Sequence, residues 1–353
     1  PRATMQVNWN ENQIVKMYDI HLLPGQYYFR AKRLSGDMDL NLAFFSSADG
    51  NNIKDISQAE YLSENWGGVE DSFIVDITEE DDYGFCIFAN ERGNGMLSLK
   101  IDNAYIWTGD EDTNWHNDDN WVGGSVPPWG TDVAIPNTAN DPNVYAAEAH
   151  CGTLNLLSGA QLTLTNYNLV VQGDLNLEGT IVVNNPSLDI FCGGDVEISG
   201  HGYLDLSDDS KLWVQGNWTF AEGCFSNPTH GTVKFWGTEN SIIYVKSADC
   251  QFNNLRISKT GGAFVAYDNC PGLEPLEIHG QFIIDDDAEF IQWALYTTIF
   301  DGPFLAYPGS EFHFVNGNVI FDYSGTGGVL INSEPGSYFN NLRASCADWL
   351  GLS

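Results

Sequence analysis

From residue 151 onward, short alternating apolar and polar runs recur at a nearly fixed interval, separated by glycine-containing turns. The segments CGTLNLLSGAQLTL, QGDLNLEGTIVV, GGDVEISGHGYLDL and QGNWTFAEG share one pattern. Each has a glycine, with apolar residues at the second and fourth positions after it. These pairs are Leu154 and Leu156, Leu175 and Leu177, Val196 and Ile198, and Trp218 and Phe220. The marker glycines Gly152, Gly173, Gly194 and Gly216 stand 21, 21 and 22 residues apart. A further strand-like run (NLVVQGD, SLDIFCGGD, KLWVQGN) precedes each of the last three. The signature returns in PLEIHGQFII at Gly280, 64 residues after Gly216, an interval read as three more periods.

At ~3.3 Å per strand residue, one such period runs along three short sides and returns to its start. The period therefore predicts a parallel β-helix, right-handed, whose inward Leu, Ile, Val and Phe residues stack in a column. Residues 151–346 have room for roughly nine coils. A longer repeat overlies the short one. Phe252-Asn253-Asn254-Leu255-Arg256 recurs as Phe339-Asn340-Asn341-Leu342-Arg343, 87 positions later. Val233 and Phe235 recur as Val319 and Phe321, 86 positions later. This spacing is read as a duplicated block of four coils, with Arg256 and Arg343 in equivalent structural positions.

Residues 12–102 carry a different pattern. VKMYDIHLLPGQYYFRAK reads as strand, Pro-Gly turn, strand. In GDMDLNLAFF, apolar Met38, Leu40, Leu42 and Phe44 alternate with polar Asp37, Asp39 and Asn41, the mark of a half-buried strand. DSFIVDI, YGFCIFA and GNGMLSLKID continue the series, and the best helix candidate, residues 53–66, is short. The order of Tyr18-Asp19-Ile20, Pro24-Gly25-Gln26-Tyr27, Gly36-Asp37-Met38-Asp39-Leu40, Phe73, Tyr83-Gly84-Phe85 and the run from Gly93 to Leu99 resembles the bacterial pre-peptidase C-terminal domain. That resemblance implies a small jelly-roll-like sandwich, an accessory module of secreted proteins without catalytic residues of its own.

Between the two patterns lies IWTGDEDTNWHNDDNWVGGSVPPWGTDVAIP, residues 106–136. Trp107, Trp115, Trp121 and Trp129 are spaced by eight, six and eight, which fits neither a helix face nor a strand. A β-helix leaves an apolar column and unpaired strand edges at its ends, and these need covering. The tryptophans are read as the N-terminal cap, with Pro127, Pro128 and Pro136 blocking strand addition. Burying one such ring contributes on the order of 3 kcal/mol. Trp107-Thr108-Gly109, Trp115, Asn120-Trp121, Gly124-Ser125-Val126-Pro127 and Asp132-Val133-Ala134-Ile135-Pro136 together resemble an element of large surface proteins of bacteria that use type IX secretion. The resemblance implies an extracellular setting and a solenoid of adhesive or structural type. The expected organisation is all-β: a sandwich at 1–103, a Trp/Pro-rich linker and cap at 104–150, and the β-helix at 151–353.

Composition narrows the function classes. With 48 acidic and 14 basic residues the formal net charge is −34, which repels nucleic acid and anionic membrane surfaces. No apolar run reaches the ~18 residues of a membrane span. The chain begins without an initiator Met or a basic n-region and reads as a mature or excised piece of a longer precursor. Seven cysteines include no CxxC pair, against zinc or thioredoxin chemistry. Buried structural thiols are the alternative to disulfides, and Cys250 with Cys270 is the first pair to test.

Site candidates are few. Asp110, Asp112 and Asn114 have the alternate-oxygen spacing of a calcium loop but lack the Gly and distant Glu of an EF-hand; a solvated acidic turn is the competing reading, and no cofactor is required. Asp205, Asp208 and Asp209 form another acidic turn, and His201, His230 and His279 lack metal spacing. A polysaccharide-cleaving β-helix needs clustered carboxylates with a nearby cation, and the solenoid is poor in basic residues. Trp213 and Trp236 are candidates to stack on sugar rings from an outer face. The chain ends in FNNLRASCADWLGLS with no evident cap, so stacking on copies of itself or on other surface proteins is expected. The reading is a non-enzymatic extracellular structural or adhesive protein; the alternative is a glycan-binding module or a polysaccharide-degrading enzyme.

Overall fold

The structure is a computed structural model. It describes residues 3–9, 15–23, 25–36, 40–45, 59, 61–63, 70–89, 94–102, 105–268, 274–293, 298–300, 302–315, 318–321, 330–331, 337–339 and 342–344. The chain is all-β and divides into two compact units, Pro1–Ile106 and Trp107–Ser353.

Among the described residues, the first unit forms two four-stranded sheets. One orders Ala3–Trp9, Gly95–Asp102, Gly25–Gly36 and Glu70–Ile77; the other orders Val15–Leu22, Asp81–Ala89, Leu40–Phe45 and Tyr61–Ser63. Every pairing is antiparallel. Tyr27, Phe29 and Ala31 of the first sheet meet Leu42, Phe44, Phe85 and Ile87 of the second in one buried cluster, with Phe29 and Phe44 centred 5.5 Å apart. Val15–Leu22 and Gly25–Gly36, either side of Pro24, belong to different sheets and do not pair as a hairpin. Residues 41–45 are buried on both faces: Ala43 and Phe45 pack with Cys86 behind the main core, and Asn41 is buried too. The alternation therefore overstated their exposure. Of the helix candidate, Tyr61–Ser63 is a strand paired with Leu40–Phe45. Apart from Ala59, the remainder lies outside the described residues.

The second unit is a parallel β-solenoid with three walls. A coil runs from the first wall (Val133–Ile135) to the second (Asn143–Val144) and the third (Ala149–Cys151), then returns to the first at Leu154–Leu156. Parallel pairing places Val133, Leu154, Leu175, Val196, Trp218 and Ile243 in vertical register. All six are at most 1% exposed, so the predicted column exists. It continues through Tyr267, Gln292, Phe314 and Phe339. Its chemistry changes on the way. The early coils are aliphatic, whereas the later ones carry rings such as Phe282 over Phe304, centred 5.2 Å apart. The steps along the column lengthen from 21–22 residues to 22–25 beyond Trp218. A wider coil accommodates larger rings at close packing.

Glycines mark the corner between the third and first walls because backbone lies directly below them. A Cβ on Gly194 would stand 2.6 Å from the Gly173 carbonyl carbon, and one on Gly216 would stand 2.5 Å from the Gly194 oxygen. Beside them, polar side chains tie coil to coil. The Asp132 carboxylate accepts the Thr153 N–H (2.7 Å), Asp174 that of Asp195 (3.0 Å), Asp195 that of Asn217 (2.7 Å), and Asn217 that of Ile242 (2.9 Å). Part of the acidity of this chain is thus structural, satisfying N–H groups that the turn takes out of the ladder.

Two sequence readings shift by one wall. Gly280 sits between Leu276–Ile278 of the second wall and Phe282–Ile284 of the third, so it is not a later copy of the Gly216 corner. Likewise Val233, Phe235 and Arg256 lie on the third wall, whereas Val319, Phe321 and Arg343 lie on the second. The 87-residue interval is therefore not a whole number of coils, and Arg256 and Arg343 are not equivalent. Three walls of alternating strands are locally alike, and a motif reports strand and corner without saying which wall it occupies.

The second wall is interrupted between Tyr203–Asp205 and Leu276–Ile278, where isolated bridges Ser226–Cys250 and Phe252–Ile278 replace the ladder. At this gap Cys224 and Cys250 form a disulfide, their Cα atoms 6.7 Å apart. This corrects the Cys250–Cys270 pairing; Cys270 lies outside the described residues. The corner geometry predicts that Gly194→Ala lowers stability by about 1–3 kcal/mol, read as a fall in melting temperature. Removing the Cys224–Cys250 link by a double Ser substitution is expected to cost about 3 kcal/mol in urea unfolding, from the loop it closes.

Candidate functional site: the tryptophan triad and the outward ladder

The tryptophan segment folds around three buried rings. Trp107, Trp115 and Trp121 are 0%, 1% and 2% exposed. Trp121 receives both neighbours edge-on, with centroids at 5.1 Å to Trp107 and 4.9 Å to Trp115. Two of these indole N–H groups find backbone acceptors: Trp107 Nε1 donates to the Asn140 carbonyl (2.7 Å) and Trp121 Nε1 to the Trp115 carbonyl (2.7 Å). The triad is fastened to two walls of the first coil. Trp107 N–H donates to Ala134 O (3.0 Å), and Trp115 N–H to Asn143 O (3.2 Å). Trp129 differs from the other three, since it is 63% exposed and lies against the His150 ring at 4.0 Å. It covers the outside of the third wall and does not plug the column.

Asn120, which sequence reading had treated only as part of an Asn-Trp motif, is the polar centre of this segment. It is fully buried. Its Oδ1 accepts the N–H groups of Glu111 and Asp112 (3.0 Å each), and its Nδ2 donates to Asp112 Oδ1 (2.6 Å) and Asn114 O (3.1 Å). Asp112 also accepts the Asn114 N–H at 2.7 Å. That N–H, followed by Asn120, holds the Asp112 carboxyl below its ordinary range. Asn114 Oδ1 accepts the His116 N–H at 3.1 Å, while Asp110 is exposed. Two of the three residues with calcium-loop spacing, Asp112 and Asn114, are thus engaged by donors of their own turn.

The outer face of the third wall carries the second group of candidates. Register aligns His150, Val170, Phe191, Trp213, Lys234 and Arg256 in one outward column. Trp213 stacks on Phe191 at 5.8 Å and meets the edge of Trp236 at 6.0 Å. Both tryptophans are half-buried. Lys234 Nζ stands 4.0 Å from the Trp213 ring centroid, within cation–π range. Burial, then the charge of Arg256, lowers the Lys234 pKa. Trp213 Nε1 donates to Asp189 Oδ2 at 2.9 Å. Arg256 grips Asp285, Nε at 3.0 and 2.9 Å from its two oxygens and Nη2 at 2.8 Å. An open groove lined by Arg256, Ser258, Thr260, Asp285, Asp286 and Tyr307 continues from this pair. The strip therefore joins aromatic faces to a hydrogen-bonding groove.

Elsewhere, Asp205, Asp208 and Asp209 line a second open groove with His230, whose Nε2 is 3.6 Å from Asp208. His279 pairs with Glu277 at 3.6 Å. Cys86, Cys151 and Cys192 are buried free thiols. Burial drives the pKa of Cys86 up to about 11 and that of Cys192 to about 12, which suppresses the reactive thiolate. No helix among the described residues is long and apolar enough to cross a membrane.

Residues 106–190 match a family described as a domain of unknown function (DUF8693). That stretch takes in the tryptophan triad and the first coils. The chain is also similar to the minor fimbrium subunit Mfa5 of Porphyromonas gingivalis, 27% identical over 148 residues. The similarity covers 41% of this chain and 11% of that protein, so the chain corresponds to a small part of its relative's length.

The hub role of Asn120 predicts that Asn120→Ala destabilises the triad by about 2 kcal/mol or more, because two N–H groups lose their acceptor. Trp129→Ala is expected to change stability by less than ~0.5 kcal/mol. Thermal unfolding followed by tryptophan fluorescence separates the two.

Proposed function

We propose that this chain is a non-enzymatic structural or adhesive segment of an extracellular bacterial surface protein, of the kind that takes part in fimbrial assemblies. The supporting observation is the similarity to a fimbrium subunit in a chain that winds as a parallel solenoid. A solenoid suits such work because each coil bonds to the next through the backbone, and side chains outside the walls can vary with little effect on the core. The first unit is read as an accessory sandwich of the pre-peptidase type, and the Trp/Pro-rich region as the solenoid's N-terminal cap. Stacking on further copies or other surface proteins is the proposed mode of assembly, and the acidic surface disfavours nucleic acid as a partner. Calcium at the Asp110–Asn114 turn is not part of this reading, since the turn's own donors occupy Asp112 and Asn114.

The outward ladder favours glycan attachment as the adhesive activity, with Trp213 and Trp236 as stacking rings and the Arg256–Asp285 groove as the polar complement. Immunogold electron microscopy of native cells, with antibody raised against the full chain, is expected to label the surface or its filaments. Label confined to the cell interior would sink the proposal. On a polysaccharide array, Trp213→Ala with Trp236→Ala is expected to abolish binding at an unchanged melting temperature. Undiminished binding by the double variant removes the ladder from the adhesive role.

A further inference from the structure

Two successive strands of the first wall, Glu289–Gln292 and Glu311–Phe314, pair in parallel with Glu289 opposite Glu311 and Ile291 opposite His313. Alternation buries Phe290, Gln292, Phe312 and Phe314 and turns Glu289, Glu311 and His313 outward. Two carboxylates therefore stand directly opposite one another, an unfavourable cross-strand pair. His313 Nε2 lies 3.6 Å from Glu289 Oε1 and 3.2 Å from Glu311 Oε2. Among the described residues, His313 is the ion-pair partner of both carboxylates, and no Lys or Arg joins them.

The surroundings make this arrangement more costly. Phe264 lies opposite Glu289 on the preceding coil, and Tyr338 lies opposite His313 on the following one, with ring centroids 5.5 Å apart. Burial raises the Glu289 pKa; His313 opposes that effect and Glu311 reinforces it. One imidazole carries at most a single positive charge against two carboxylates, whereas a divalent cation balances both. One ligand atom from each residue lies within 4.8 Å of the others. Ligands each at ~2.1 Å from one ion need separations of roughly 3–3.5 Å, which small side-chain rotations supply.

We propose that Glu289, Glu311 and His313 bind one divalent transition-metal ion of the zinc class, cross-linking two adjacent coils. The imidazole selects the class: nitrogen with carboxylate suits zinc, nickel or copper, whereas calcium and magnesium take oxygen. The remaining coordination positions face solvent and are open to water or to a donor from another molecule. This site is independent of the surface role proposed above.

The test is calorimetric titration of the full chain, stripped with chelator, using zinc chloride in excess calcium chloride. The chain is expected to bind zinc and to melt at higher temperature when loaded. Glu311→Gln and His313→Gln are each expected to weaken binding ~10-fold or more, the loss seen when even an outer partner of a metal ligand is removed. Both positions face outward, and near-ultraviolet circular dichroism verifies folding; either folded variant suffices for the comparison. Zinc affinity unchanged in the folded variants, or zinc displaced by the calcium excess, overturns the proposal.

Discussion

Each coil of the solenoid must lie in register on the one before it. The constraint comes from the backbone: parallel strands exchange hydrogen bonds only with the coil above and the coil below. Register then forces inward side chains into columns, as Val133, Leu154, Leu175, Val196 and Trp218 demonstrate. It also forces outward side chains into ladders, whatever their chemistry. Glycine at the corners and the Asp–Asn chain beside them follow from the same closeness, since the next coil's backbone leaves no room for Cβ and presents N–H groups that need acceptors.

The constraint is weakest where a wall is interrupted or where stacking stops, and both places carry special chemistry. Across the second-wall gap, a covalent link between Cys224 and Cys250 stands in for missing ladder bonds. Beside the first coil, three indoles pack edge-on against one another, and the N–H groups of Trp107 and Trp121 are satisfied by backbone carbonyls of the same segment. Asn120 ties that segment together, its side chain bonded to Glu111, Asp112 and Asn114. Asp112 and Asn114 there accept N–H groups of their own turn, so a metal-like spacing coexists with a backbone role for these two residues.

Outward ladders are where such a molecule is free to acquire function, because changes there leave the columns intact. The third wall uses its ladder to assemble Phe191, Trp213, Lys234 and Trp236; the first wall uses its own to bring Glu289, Glu311 and His313 together. The same parallel pairing produces both, one a row of aromatic faces and the other a cluster of two carboxylates and an imidazole. In each case residues roughly a coil apart in sequence become neighbours at strand spacing.

The sequence by itself determined the solenoid, its first corners and the column through Trp218, because a 21-residue period and a two-residue alternation are local signals that survive without coordinates. It also placed Trp107, Trp115 and Trp121 beside the first coil, though it grouped Trp129 with them. Tertiary structure alone decided which wall each later motif occupies, since coils of 22–25 residues break the period and the three walls share one pattern. It alone paired Cys250 with Cys224, separated Trp129 from the buried triad, and set Glu289 against Glu311 and His313. Those contacts depend on the length of each coil, a sum over corners and loops that no short stretch of residues encodes.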